Sequence, residues 1–194
     1  MMLNSIILHG LQDKKEYYGA NNSAPGNDHW FPWLQKQLLV KDIYAETPTV
    51  YQTYKASYED WVNTIERCHH IDENTILVGH SCGGGFLVRW LSENKDKKVG
   101  KVVLVAPWLN LENDKMLENE EFFKFEIDTN IVSRTKGITV FSSDNDVEPI
   151  KKSVMMIQQK IRDVQIREFH GYGHFCYEDM KTEEFPELLE EVQS

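Results

Sequence analysis

The sequence has little cysteine, and what it has does not pair. Cys68, Cys82 and Cys176 are an odd set without framework spacing, so they read as reduced thiols, not a disulfide scaffold. No apolar run reaches the length that a membrane span requires, which excludes a membrane partner. The opening "MMLNSIILHG" has no basic segment before its short apolar run and reads as a first strand, not an export signal. A cytoplasmic location is the expectation. Basic charge is also scarce: 21 Lys and Arg face 31 Asp and Glu, leaving a net charge of -10. Acids crowd the stretches 112–128 and 178–191, and no basic stripe with interleaved aromatics offsets them. Such a surface repels phosphate backbones, so nucleic acid is excluded as a partner. Repeats, low-complexity tracts and flexible linkers are missing too, and residues 1–194 are expected to form one domain.

What is present is alternation. Short apolar runs at 5–10, 42–47, 75–80, 101–107, 138–143 and 164–169 read as six strands. The first, third and fourth are apolar nearly throughout, as strands buried on both faces should be. Helical periods lie between them. Tyr58, Trp61, Ile65 and Cys68 share a face behind a Ser57 cap, with His69 and His70 at the helix end. Ile150, Val154, Ile157 and Ile161 follow Pro149 in a first turn, and Phe185, Leu188, Leu189 and Val192 make a last stripe. This pattern predicts an α/β fold: a mostly parallel sheet of about six strands with helices on both faces. The stretch 108–134 breaks the rhythm. It is either a short lid, with Trp108 touching substrate, or an extra surface helix packing Phe122, Phe123 and Phe125 on the core.

The chemistry centres on "TILVGHSCGGGFLVRWL". In frame, Gly79-His80-Ser81-Cys82-Gly83 is G-x-S-x-G, between an apolar strand and a helical period. That context makes it a nucleophile elbow. Centring it on Cys82 would put histidine where a glycine belongs, so Ser81 is the candidate nucleophile. Cys82 is then the residue whose backbone N–H helps hold an oxyanion. A serine hydroxyl needs a base, and the base needs an orienting carboxylate. The fold expects the order Ser, Asp, His. "SSDNDVEPI" follows the fifth strand and offers Asp144 and Asp146; "HGYGHFCYED" follows the sixth. His174, between Gly173 and Phe175, is the candidate base, while His170 at the strand end is read as structural. The His170/His174 spacing is interrupted by two glycines and no carboxylate motif completes it, so no metal is expected. In "LHGLQ", Gly10 permits close approach and leaves the Leu11 N–H as the second oxyanion donor.

Together "ILHG", "NDHWFPWL", "DWVNTI", "LVGHSCGG", "SDND" and "GYGHF" resemble the small serine-hydrolase family of the retinoblastoma-binding-protein type, with its YdeN-like bacterial members. The resemblance spans nearly the whole chain. It implies a compact α/β-hydrolase fold, a triad carried onto Ser81, Asp146 and His174, carboxylesterase-type activity on a small acyl substrate, and no cofactor. The family often shows D-P-x-V-P at its acid, whereas here one residue is missing before Pro149, which keeps Asp144 in play. The L-x-C-x-E motif is absent, so the retinoblastoma partner does not carry over. A non-catalytic binding scaffold, or a lyase or perhydrolase using the same residues, are the alternative readings.

Overall fold

Each of the six apolar runs becomes a strand of one sheet. The computed structural model describes residues 3–110 and 120–194. The strands are β1 (Asn4–Leu8), β2 (Tyr44–Glu46), β3 (Thr75–His80), β4 (Val102–Val105), β5 (Ile138–Ser143) and β6 (Gln165–Phe169). Their spatial order is β2-β1-β3-β4-β5-β6, and every neighbouring pair is parallel. β1, β3 and β4 are buried at every position, which explains their unalternating Val, Ile and Leu. β6 lies at an edge and is largely exposed. The apolar runs overshoot the ladders: His9-Gly10 and Ala106-Pro107 have already left them for loops.

Among the described residues the helices are α1 (Lys14–Tyr17), α2 (Phe31–Val40), α3 (Tyr58–Arg67), α4 (Cys82–Glu93), α5 (Glu148–Lys160), α6 (Tyr177–Met180) and α7 (Pro186–Gln193). Ser57 does cap α3, its Oγ accepting the Asp60 N–H at 3.3 Å. That helix ends at Arg67, so His69 and His70 lie beyond it and do not occupy its last turn. The Glu46 carboxylate takes the His69 N–H at 2.9 Å and ties this turn to β2. α5 and α7 bury the expected stripes: Ile150, Val154 and Ile157 on one, Leu188 and Val192 on the other. α2 is an addition to the expected elements, burying Phe31, Leu34 and Leu38 behind Pro32 in its first turn.

The described ends of 108–134 pack on the body of the protein. Trp108, Leu109 and Phe122 are buried. Phe122 lies against the Tyr58 and Trp61 rings, and Phe123 meets Trp108 edge-on at 5.6 Å. Arg134 closes the segment with an Asp128 ion pair at 2.7 Å. Residues 111–119, the middle of the expected lid, lie outside the described residues. No helix among the described residues is long and apolar enough to cross a membrane.

The strand order decides where a site can be. The chain runs outward from β1 to β2, then returns to β3 on the other side of β1 and continues to β6. The crevice at the carboxyl ends of β1 and β3 is therefore the topological switch point, where ligands bind in such sheets. Gly10 and Leu11 follow β1 at that end, and Ser81 follows β3.

Candidate active site

Ser81 is the hinge between β3 and α4, and its backbone is strained. Its φ of 52° and ψ of -118° are outside the regions L-residues ordinarily occupy. Three backbone hydrogen bonds hold it there: Ser81 N–H to the Val105 carbonyl, and the Gly85 and Trp108 N–H groups to the Ser81 carbonyl. The flanking glycines are steric requirements. A Cβ at Gly79 would lie 2.8 Å from Gly84 Cα, and one at Gly83 would collide with the His9 carbonyl oxygen. The elbow thus presses directly on the end of β1.

Cys82 opens α4 and is fully buried. Burial raises its thiol well above the usual range, so no thiolate is available there. Cys82→Ala is expected to lower ester turnover by less than about tenfold, since its fully buried side chain lines no cavity that Ser81 lines. Hydrolysis of p-nitrophenyl butyrate beside a melting curve checks this. A folded but inactive variant would reverse the choice of nucleophile.

The β5 and β6 loops sort the two acids. Asp144 turns outward: it accepts from His170 Nδ1 and from the Gly171 N–H, both at 2.9 Å. The His170 side chain is 81% exposed. Their hydrogen bond lowers the Asp144 carboxyl and raises the His170 imidazole. Ser143 and Asn145 stitch the loops together. Ser143 Oγ donates to Asn145 Oδ1 and accepts the Tyr172 N–H, while Asn145 Oδ1 also accepts the Gly173 N–H at 2.8 Å. Asp146 is left facing inward, its side chain 1% exposed and its carboxylate oxygens 3.1 and 3.2 Å from His174 Nδ1.

The His174 main chain is gripped at both ends. Its N–H donates to Asp179 Oδ2 at 2.8 Å, and its carbonyl accepts from His80 Nε2 at 2.8 Å. Its neighbours Gly173 and Phe175 both have positive φ, which throws the imidazole out of the loop. Phe175 is buried among Phe169, Tyr172 and Phe185, and its carbonyl accepts the Trp30 indole N–H at 3.1 Å. Burial first, and His174 second, hold the His80 imidazole well below its ordinary pKa, so it is a neutral donor.

Ser81 and His174 line the same two cavities. One of about 310 Å³ is walled by Leu11, Trp108, Val147, Pro149 and Ile150. The other, about 80 Å³, is of mixed lining, with Gln12, Asp28, His29 and Cys176 on its wall beside Pro25 and Phe31. Among the described residues Ser81 Oγ makes no hydrogen bond to His174; such contacts often tighten only when substrate binds. Gly10 lies against the serine, a Cβ there falling 3.1 Å from Ser81 Cβ. The structure therefore brings Leu11, Ser81, Trp108 and His174 to one cavity, with Asp146 behind His174 and Cys82 buried next to Ser81.

Three histidines were invisible as site residues in the sequence. His9 and His80 are buried behind the crevice, and His29 stands in its wall with a φ of 50°. Spacing gives no signal for them, since only the sheet brings 9, 29 and 80 together. His29, Cys176 and Glu178 place ligand-capable atoms within 4.8 Å of one another. However, His29 Nδ1 already accepts the Tyr177 N–H at 3.3 Å, and burial pushes the Cys176 thiol up to about 12. His29 and Cys176 thus help hold the loop, Cys176 Sγ donating to the His174 carbonyl at 3.8 Å.

Over nearly its whole length the chain is similar to known proteins. The chain is 29% identical over 169 residues to YdeN of Bacillus subtilis (strain 168), covering 86% of this chain and 88% of that one. The crystal structure of the ydeN gene product superimposes with a TM-score of 0.79 at 27% identity, covering 98% and 97% of the two chains. Est1E from Butyrivibrio proteoclasticus (TM-score 0.64, 14% identity, 98% and 85% covered) and the Exiguobacterium antarcticum esterase EaEST (0.65, 12%, 99% and 92%) share the α/β-hydrolase fold. The family described as serine hydrolase matches residues 17–193. With nearly the whole length inside that match and an elbow serine at the switch point of its sheet, the chain belongs to the serine hydrolase family.

Proposed function

We propose that the protein hydrolyses carboxylic esters through a Ser81–His174–Asp146 triad. The observation that carries this reading is the buried Asp146 carboxylate on His174 Nδ1, with His174 and the strained Ser81 facing common cavities. Asp146 fixes the tautomer, so Nε2 is the basic nitrogen. Ser81 Oγ attacks the acyl carbonyl while its proton passes to His174 Nε2. The Leu11 and Cys82 N–H groups hold the oxyanion. Collapse expels the alcohol, which takes the proton from His174, and leaves an acyl-enzyme. Water, deprotonated by His174, then adds to the acyl carbon and releases the acid with Ser81 restored. No step calls for a cofactor.

The two cavities favour a neutral or cationic ester with one apolar arm and one compact polar arm. The larger cavity suits a short or medium acyl chain. The smaller presents Asp28 and Gln12, and acids crowd the stretch after His174. A scaffold or a lyase would not turn over a simple ester; a perhydrolase forms the same acyl-enzyme and differs in passing the acyl group to hydrogen peroxide instead of water.

The test is labelling by a fluorophosphonate probe together with turnover of p-nitrophenyl esters. Wild type is expected to label and turn over, and Ser81→Ala to do neither. Labelling that survives the substitution, or fails with folded wild type, removes the hydrolase reading. A preference for an anionic over a neutral ester at low salt removes the substrate assignment alone.

A further inference from the structure

His9 ends the first apolar run and contributes nothing to the triad, yet both its ring nitrogens are engaged and its residue is 1% exposed. Nε2 lies 3.0 Å from the Val50 nitrogen. A backbone N–H can only donate, so Nε2 must be the acceptor and the ring proton must sit on Nδ1. Nδ1 is 2.6 Å from the Gly10 carbonyl oxygen, so it donates there. The Trp61 ring packs on the imidazole with centroids 5.4 Å apart and closes off reorientation.

The Gly10 carbonyl belongs to the peptide unit that carries the Leu11 N–H. The two groups lie in one plane and, in a trans peptide, point in opposite directions. Fixing the carbonyl therefore fixes the N–H. Gly10 is the residue least able to hold that orientation alone, because it lacks the Cβ that restricts other backbones. We infer that His9 is a positioning residue for the oxyanion site: it clamps the Gly10–Leu11 peptide by its carbonyl and so aims the Leu11 N–H at the oxyanion that forms when Ser81 attacks. This rests on the reading of Leu11 as an oxyanion donor.

Burial, the main cause, lowers the His9 imidazole to about 4, so the clamp stays neutral across the working range of an esterase. A neutral ring adds no positive charge to stabilise the developing oxyanion, so its contribution is to direction. A freed Gly10–Leu11 peptide still lets substrate enter the apolar cavity, so the deficit belongs to kcat and not to KM.

The experiment compares His9→Asn, His9→Gln and His9→Ala. An asparagine amide can donate near the Nδ1 position, whereas a glutamine amide reaches toward the Nε2 position. Kinetics on p-nitrophenyl butyrate are paired with inhibition by an alkyl trifluoromethyl ketone, whose adduct with serine places an oxyanion in the hole. His9→Gln and His9→Ala are expected to lose up to about 10² in kcat, with KM little changed and the ketone inhibition constant rising in parallel. His9→Asn is expected to recover part of both. If the three variants follow only their melting temperatures, or if glutamine outperforms asparagine, His9 is a packing residue and the inference fails. A wild type without turnover or labelling is a failure of the hydrolase reading instead. Should His9→Ala not fold, the order of Asn and Gln still decides.

Discussion

Asp146→Asn is expected to reduce kcat by about 10⁴, the loss that follows when an orienting carboxylate becomes an amide. The geometry leaves little room for compensation. Asp146 is buried, His174 Nδ1 sits within 3.2 Å of both its oxygens, and Asp144 is committed to His170 and the Gly171 N–H. An amide in its place can present its NH₂ to Nδ1 and favour the tautomer that protonates Nε2, which cannot then accept the serine proton. Asp144→Asn should leave turnover within about tenfold, because its pair is exposed and lies outside the crevice. Side-by-side kcat measurements at neutral pH check both. Exchanged phenotypes would mean that Asp144 is the acid and that the observed pairing is not the working one.

The choice between these acids shows where sequence reasoning stops. Both aspartates follow the strand, and the missing residue before Pro149 favoured neither. What separates them is their partners: Asp144 is taken outside by His170 and the Gly171 N–H, while Asp146 is buried against His174. Those partners lie 26 to 28 residues along the chain, beyond any local signal. The strands were legible because β1, β3 and β4 are buried on both faces and need continuous apolar side chains. α2 was not. Leu39 and Val40 are apolar yet exposed, and they blur the stripe made by Phe31, Leu34 and Leu38. The elbow was legible because G-x-S-x-G is a contiguous string between an apolar strand and a helical period. The three buried or half-buried histidines were not, because each answers a partner far along the chain: Val50 for His9, His174 for His80 and Tyr177 for His29.

Gly83→Ala tests the close approach of the elbow to the end of β1 against helix propensity. In an exposed helix the exchange would stabilise by up to about 1 kcal/mol. At Gly83 the added methyl would overlap the His9 carbonyl oxygen and lie 2.8 Å from the Leu8 carbonyl oxygen. Both are backbone atoms of a strand end held in the sheet, so neither can swing aside as a side chain would. Overpacking of this kind costs about 1–3 kcal/mol and outweighs the propensity gain, so a lower melting temperature is expected. The larger effect is on catalysis. The methyl separates the elbow from the end of β1, and these carry the nucleophile and the Gly10–Leu11 peptide. A shift of about 1 Å between reacting groups is enough to lose about 10² in kcat. Gly83→Ala is therefore expected to fold, melt lower, and turn over at about a hundredth of the wild-type rate. Melting curves and p-nitrophenyl butyrate kinetics on the same preparation measure both. A variant with wild-type kcat would mean that the elbow and the first strand can part without disturbing the site, and the steric account of the G-x-S-x-G glycine would have to be given up.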